Sequence, residues 1–168
     1  MGEADKFSMV VPMIDSIQDD SYFAGFFDVE GSVVIYKRNK TMPKGITIPY
    51  QIRATATNTN REVIQLIKKK YGGNVVQYLP VNCRRTCWKW TVLCQDAAKF
   101  FRQVIPYLVV KRAEAELALA MQATIDKFKH RSHPNGQWGQ SPLPPEEIAH
   151  RDSLHTKLME LRKPVVCN

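Results

Sequence analysis

Acidic residues are scarce in the middle of this chain. Between Lys37 and Arg112 stand 16 Lys and Arg against 2 acids, Glu62 and Asp96, a local excess of +14. The flanks carry the other 8 basic and 14 acidic residues, so the net +8 is concentrated in one stretch. That segregation fits a polyanion partner, because phosphate contacts and counterion release dominate nucleic-acid affinity. Long apolar runs are also missing, so no membrane-spanning helix and no membrane partner are expected. The first 20 residues include Glu3, Asp5, Asp15, Asp19 and Asp20, which argues against a secretory or organellar leader. Paired C-x-x-C spacing is absent among the four cysteines, so neither a zinc site nor a disulfide framework is indicated. Cys87 and Cys94 read as packing residues. The expected setting is intracellular and reducing, in a microbial cell or within an organelle.

The 168 residues suffice for one substantial domain. Residues 1–19 show no clear period and read as an arm, leaving residues 20–168 as the domain. Ser32–Arg38 is rich in β-branched residues and reads as a strand. Ile48–Asn58 alternates, with Tyr50, Ile52, Ala54 and Ala56 on one face and Gln51, Arg53, Thr55 and Thr57 on the other. Thr59 and Glu62 resemble a capping box for a short helix lined by Val63, Ile64, Ile67 and Tyr71 and closed by Gly72-Gly73. Strands are expected at Asn74–Leu79 and Thr86–Leu93, with Trp90 in the core. Helices are expected at Asp96–Ile105, at Lys111–Lys129 with Ala113, Leu117, Met121, Thr124 and Phe128 on one face, and from Pro145 onward. Segments 40–45 and 130–143 read as loops.

The order is α-β-β-α-β-β-α plus C-terminal helices, an α+β fold with a four-stranded antiparallel sheet. Helices on one side would leave the other sheet face open. That face would carry Arg38, Gln51, Arg53, Thr55, Thr57, Gln77, Lys89 and Thr91, with Tyr36 alongside. Donors and acceptors at period two suit base-edge readout in the major groove of double-stranded DNA. Arg84 and Arg85, in the turn before the last strand, would reach the DNA backbone.

The stretch YFAGFFDVEGSV, Tyr22–Val33, carries the chemistry. An apolar run with small residues ends in Asp28 and Glu30, followed by Gly31. In a helix those acids would lie at the negative end of the macrodipole, where carboxylates are unfavourable without a cation nearby. A hard divalent cation, which takes carboxylate and carbonyl oxygens, would resolve that conflict. Ala24 and Gly25 would let a second helix approach closely, so the segment reads as a helix–helix contact that delivers an acid to a shared metal site.

FAGFFDVEG, Phe23–Gly31, resembles the LAGLIDADG motif of homing endonucleases, with Asp28 and Gly31 matching and Glu30 at the eighth position. PYLVVKRAEAELA, Pro106–Ala118, is similar to the stretch preceding a long helix in that family, and Lys111 falls on its lysine. The resemblance implies the αββαββα fold with a saddle-shaped sheet, and metal-dependent double-strand cleavage of DNA. Glu30 would then be the metal ligand and catalytic acid of each subunit, with the Val29 carbonyl beside it and Mg²⁺ or Mn²⁺ as cofactor. Lys111 would act near the scissile phosphate, and Asn58 would position water, with Thr57 or Asn60 as alternatives. The family counterpart of Asp28 is mainly structural. Only one motif is present, which implies a homodimer packed through Phe23, Ala24, Gly25 and Phe26 on a long, nearly palindromic target, in the setting of intron homing. Two other readings stay open: an RNA-splicing maturase acting on intron RNA, and a DNA-binding regulator that does not cut.

Overall fold

The computed structural model describes residues 19–37, 50–80, 85–128 and 143–163. Helix α1 (Asp20–Glu30) leads directly into β1 (Gly31–Lys37). Then come β2 (Tyr50–Asn58), α2 (Arg61–Tyr71), β3 (Asn74–Tyr78), β4 (Cys87–Leu93) and α3 (Cys94–Val104). A short 3₁₀ turn (Ile105–Tyr107) holds Pro106, and α4 (Arg112–Lys127) and α5 (Pro145–Leu161) are the last elements among the described residues. The arm, both predicted loops, Arg38 and Arg84 fall wholly or almost wholly outside the described residues.

The four strands are antiparallel in the order β1-β2-β4-β3. Their register puts Val33, Ile35, Tyr50, Ile52, Ala54, Ala56, Trp90 and Val92 on one face, and all are buried. Against that face pack Phe23, Ala24 and Phe27 of α1, Ile64 and Ile67 of α2, and Phe100 and Phe101 of α3. Phe100 is central, with edge-on contacts to Phe27, Tyr71 and Trp90. The buried Trp90 indole donates its N–H to the Gly72 carbonyl at 2.7 Å, as a buried indole requires.

Local chemistry sets the boundaries. Asp19 caps α1 by accepting the Ser21 N–H at 2.8 Å. At the other end Gly31 has ordinary extended geometry, but a Cβ there would lie 2.4 Å from the Phe27 ring, so the motif glycine is required by space. The expected Thr59–Glu62 capping box does not form. Asn60 caps α2 instead, accepting the N–H groups of Glu62 and Val63 at 2.9 and 3.4 Å. Gly72 and Gly73 close α2 with φ of +73° and +89°, a region that favours glycine.

Helix α4 turns only part of the expected face inward, Met121 with a half-buried Leu117 against the core. Ala115, Ala118, Met121 and Gln122 are buried, whereas Ala113 and Leu117 line an open groove against α5. Alanines occur all around this helix, so its sequence pattern defines no single apolar stripe. Helix α5 packs on α4, where Arg151 is buried, pairs with Glu147 at 2.7 Å and donates to the Thr124 carbonyl at 2.8 Å. Arg162, just past α5, pairs with Glu114 at 2.8 Å.

Candidate active site and nucleic-acid face

The C-terminal end of α1 meets the N-terminal end of α4 through Asp28. Its carboxylate accepts the backbone N–H groups of Val109 at 2.7 Å, Lys111 at 2.9 Å and Val110 at 3.2 Å. Burial pushes this carboxyl up, but those three N–H groups and the Lys111 charge outweigh it and hold it below its usual range. Both oxygens of Asp28 are thus committed to the backbone of the turn entering α4. The Lys111 ammonium in turn donates to the Asp28 carbonyl. That puts a cation at the negative end of α1, the favourable arrangement for a helix dipole.

Glu30 differs from Asp28 in every respect. It is exposed, and among the described residues no hydrogen bond or ion pair engages its carboxylate. It lies two residues beyond the carbonyl that Lys111 holds, so an unpaired acid and an ammonium share one end of α1. Among the described residues no three acids, histidines or cysteines gather into a metal-binding group. Each chain therefore offers one free carboxylate here, next to Val29, which is 80% exposed.

Gly31, directly after Glu30, pairs with Ala56 at the end of β2 that carries Thr57 and Asn58. Thr57 in turn pairs with Lys89, which pairs with Val76. Asn58 pairs with Trp88 on the helix-covered parity, and its side-chain oxygen accepts the Asn60 N–H at 2.8 Å. Of the polar residues considered near the end of β2, Asn58 is engaged in the turn and Asn60 in the cap of the following helix.

The open face of the sheet is built in rows. Tyr36 pairs with Gln51, and Val34 with Arg53 and then Leu93. Ser32 pairs with Thr55, then Thr91, then Asn74, while Cys87 pairs with Tyr78. Gln51, Arg53, Thr55, Thr57, Lys89 and Thr91 thus share this face, with Tyr36 among them, as the alternation predicts. Arg53 has a buried Nε without a hydrogen-bond partner, an unmet donor in the middle of the face. Gln51 directs its amide to the Cys94 sulfur at 3.4 Å.

Gln77 corrects the expectation. It pairs with Trp88 and so lies on the helix-side parity, leaving Asn74, Val76 and Tyr78 as the β3 residues of the open face. The segment NVVQY mixes apolar and polar residues on both parities, so its alternation does not decide its facing. Arg85 lies exposed just before β4.

A second correction concerns α1. Phe23 and Ala24 are fully buried in the chain's own core and are unavailable to a partner. Gly25 is exposed and Phe26 half-buried, and with Tyr22 and Val29 they form an outward stripe at helical spacing. The turn into α4 adds Val109 and Val110, 84% and 73% exposed, an apolar pair that the sequence reading missed although two adjacent valines precede Lys111.

No family model and no curated protein matches this sequence. Solved structures do. The homing endonuclease I-CvuI, in complex with its target in the presence of calcium, aligns with a TM-score of 0.63 and 19% identity over 89% of this chain and 85% of that one. The archaeal intron-encoded homing endonuclease I-Vdi141I, complexed with DNA, aligns with a TM-score of 0.66 and 17% identity over 86% and 84%. The LAGLIDADG homing endonuclease I-SmaMI, bound to cleaved DNA, gives 0.65 and 17%, over 88% of this chain but 46% of that one. This chain therefore has the LAGLIDADG homing-endonuclease fold.

Proposed function

We propose that the chain is a site-specific DNA endonuclease that works as a homodimer with a divalent metal ion on a long, nearly palindromic duplex. The observation that carries this reading is the pair at the end of α1. Glu30 is a free, exposed carboxylate, Lys111 is held beside it by Asp28, and both adjoin a basic, donor-rich sheet face. Structures with this fold that were solved on DNA include I-CvuI, I-Vdi141I and I-SmaMI.

The donor set fits a hard cation in part. A free carboxylate at a helix C-terminus, with the Val29 carbonyl next to it, is oxygen chemistry suited to Mg²⁺ or Mn²⁺. One such acid per chain is half of what a shared site needs, so the fit is completed by a second copy. When bound, the metal supplies activated water and charge stabilisation at the phosphate. The chain's own residues do the remaining work. Glu30 and the Val29 carbonyl would hold the cation, and Lys111 would present a positive charge to the phosphate. Asn58, with Thr57 or Asn60 as alternatives near the end of β2, would position water.

The second copy would pack on the outward stripe of α1, Tyr22, Gly25, Phe26 and Val29, extended by Val109 and Val110. An open position at Gly25, where a Cβ would meet nothing within 4 Å, permits close helix–helix approach. The chain spans about half the length of I-SmaMI, which supports two copies supplying what that single chain supplies. The sheet then reads bases through Tyr36, Gln51, Arg53, Thr55, Thr57, Lys89 and Thr91, with Arg85 on the phosphates.

The decisive experiment incubates the protein with a randomised, near-palindromic duplex library in Mg²⁺, with Ca²⁺ and Glu30→Gln as controls. One Mg²⁺-dependent consensus cut, absent with Glu30→Gln although that variant still binds, is the expected result. Binding without cutting would overturn the nuclease, and cutting by Glu30→Gln at the wild-type rate would overturn the assignment of Glu30. Absence of any duplex binding would overturn the DNA reading itself and direct the search to structured RNA.

A further inference from the structure

The last pair of the β1–β2 hairpin, Lys37 and Tyr50, is gripped from below by a residue outside the αββαββα frame. Asp152, in the second turn of α5, accepts from both the Lys37 ammonium and the Tyr50 hydroxyl through the same oxygen, Oδ1. Tyr50 is buried, and the Lys37 ammonium also lies 5.7 Å from the centroid of its ring. These hydrogen bonds hold the Asp152 carboxyl below the usual carboxylate range, so it is ionised whenever DNA is bound at neutral pH.

The side chains of Lys37 and Asp152 are 30% and 40% exposed, and ion pairs in that setting contribute little to stability. What the contact does fix is position. The pair directly adjoining Lys37 and Tyr50 in the register is Tyr36 with Gln51, on the opposite, open face. A tilt or splay at the clamped pair is transmitted to its neighbour through the shared backbone of both strands.

The location along the strand gives the effect a signature. Gly31 adjoins Glu30, and Tyr36 is five residues further along β1. At about 3.3 Å per residue that is about 16 Å, or about five base pairs of duplex at 3.4 Å each. On a duplex lying along the strand, Tyr36 and Gln51 would face bases well outside those met by Ser32 and Thr55.

We infer that Asp152 is a specificity-determining positioning residue. From the helix side of the sheet it orients Tyr36 and Gln51, and so sets base preference at the outer part of each half-site. The inference rests on the DNA reading above. It makes the C-terminal helix part of target recognition without any contact between that helix and DNA.

The test compares wild type, Asp152→Ala, Asp152→Asn and Tyr50→Phe in binding selections on the randomised duplex library in Ca²⁺. Preference is read position by position, and the thermal midpoint of each variant is measured alongside. Asp152→Ala is expected to relax preference about fivefold at the outer positions, part of what one good base contact supplies, and to leave the inner ones unchanged. Tyr50→Phe should move the same positions, and Asp152→Asn, which keeps an acceptor, should fall between. Tyr36→Ala combined with Gln51→Ala should abolish the effect of Asp152→Ala. A uniform loss across all positions, or an unchanged profile, would overturn the inference while leaving the DNA reading intact. Failure of the wild type to bind any duplex would remove both.

Discussion

The carboxylate of Asp28 accepts the backbone N–H of Lys111 at 2.9 Å, and the Lys111 ammonium donates back to the Asp28 carbonyl. This reciprocal pair joins the end of α1 to the start of α4, two elements separated by most of the domain in sequence. It also divides the labour of the two motif acids. Asp28 builds the corner, and Glu30 has no partner among the described residues.

Asp28→Asn is expected to destabilise the fold by about 2 kcal/mol, since hydrogen bonds to a charged acceptor are worth about 1.5–3 kcal/mol each and asparagine keeps some of them. The effect is pH-dependent with a defined sign. The folded carboxyl titrates below its unfolded value of about 3.9, so its stabilisation is complete above that pH and is lost as pH falls through the lower folded value. Urea unfolding of both proteins between neutral and strongly acidic pH checks this. Two stability curves that stay parallel below pH 4 would rule out Asp28 as the source of the acid sensitivity.

Glu30→Gln should act in the opposite direction on stability. An exposed, unpartnered carboxylate at a helix C-terminus opposes the macrodipole, at a cost of about 0.3–1 kcal/mol. Neutralising it should leave stability unchanged or raise it by up to about 1 kcal/mol, while cleavage is lost. A stabilised but inactive variant is the expected behaviour of a residue kept for chemistry. Marked destabilisation on calorimetry would instead identify Glu30 as structural.

These two acids also indicate how much was legible beforehand. The motif, the order of elements along the chain and the facing of β2 could be read because each has a local cause: a terminal acid, a glycine-closed helix, or strict alternation from Tyr50 to Thr57. What could not be read lacked such a cause. α1 is apolar nearly all round, so nothing in Phe23–Phe27 says which side the core takes, and Phe23 and Ala24 proved to be inside. α4 is alanine-rich on several faces, and β3 does not alternate cleanly, which misassigned Ala113 and Gln77. The role of Asp152 was out of reach, because Lys37 and Asp152 are 115 residues apart.

Gly25→Leu tests the outward stripe of α1. Within one chain a Cβ at this position meets nothing within 4 Å, so the monomer should fold, and leucine is the better helix former by up to about 1 kcal/mol. A leucine side chain between two closely packed copies of α1 would hold them apart. Sedimentation velocity should show wild type as a dimer and Gly25→Leu as a folded monomer. An unchanged sedimentation coefficient would remove this helix from the interface.

Arg53→Met separates fold from function most cleanly. The Arg53 Nε is buried without a partner in the middle of the open face, in the row of Val34 and Leu93. A buried donor left unpaired costs the folded state, and replacing it with an apolar side chain of similar length removes that cost while keeping the packing of the stem. Stability should therefore hold or rise by about 1 kcal/mol. If the donor is kept to meet an acceptor on a base edge, duplex affinity should fall by about 1–3 kcal/mol and preference should relax at the positions it faces. A simple phosphate contact would instead weaken all sequences alike and reduce the salt dependence of binding. Base-resolved selection at two salt concentrations, together with a denaturation curve, distinguishes the two. A variant that unfolds easily yet binds DNA as tightly as the wild type would show that Arg53 serves the fold and not the target.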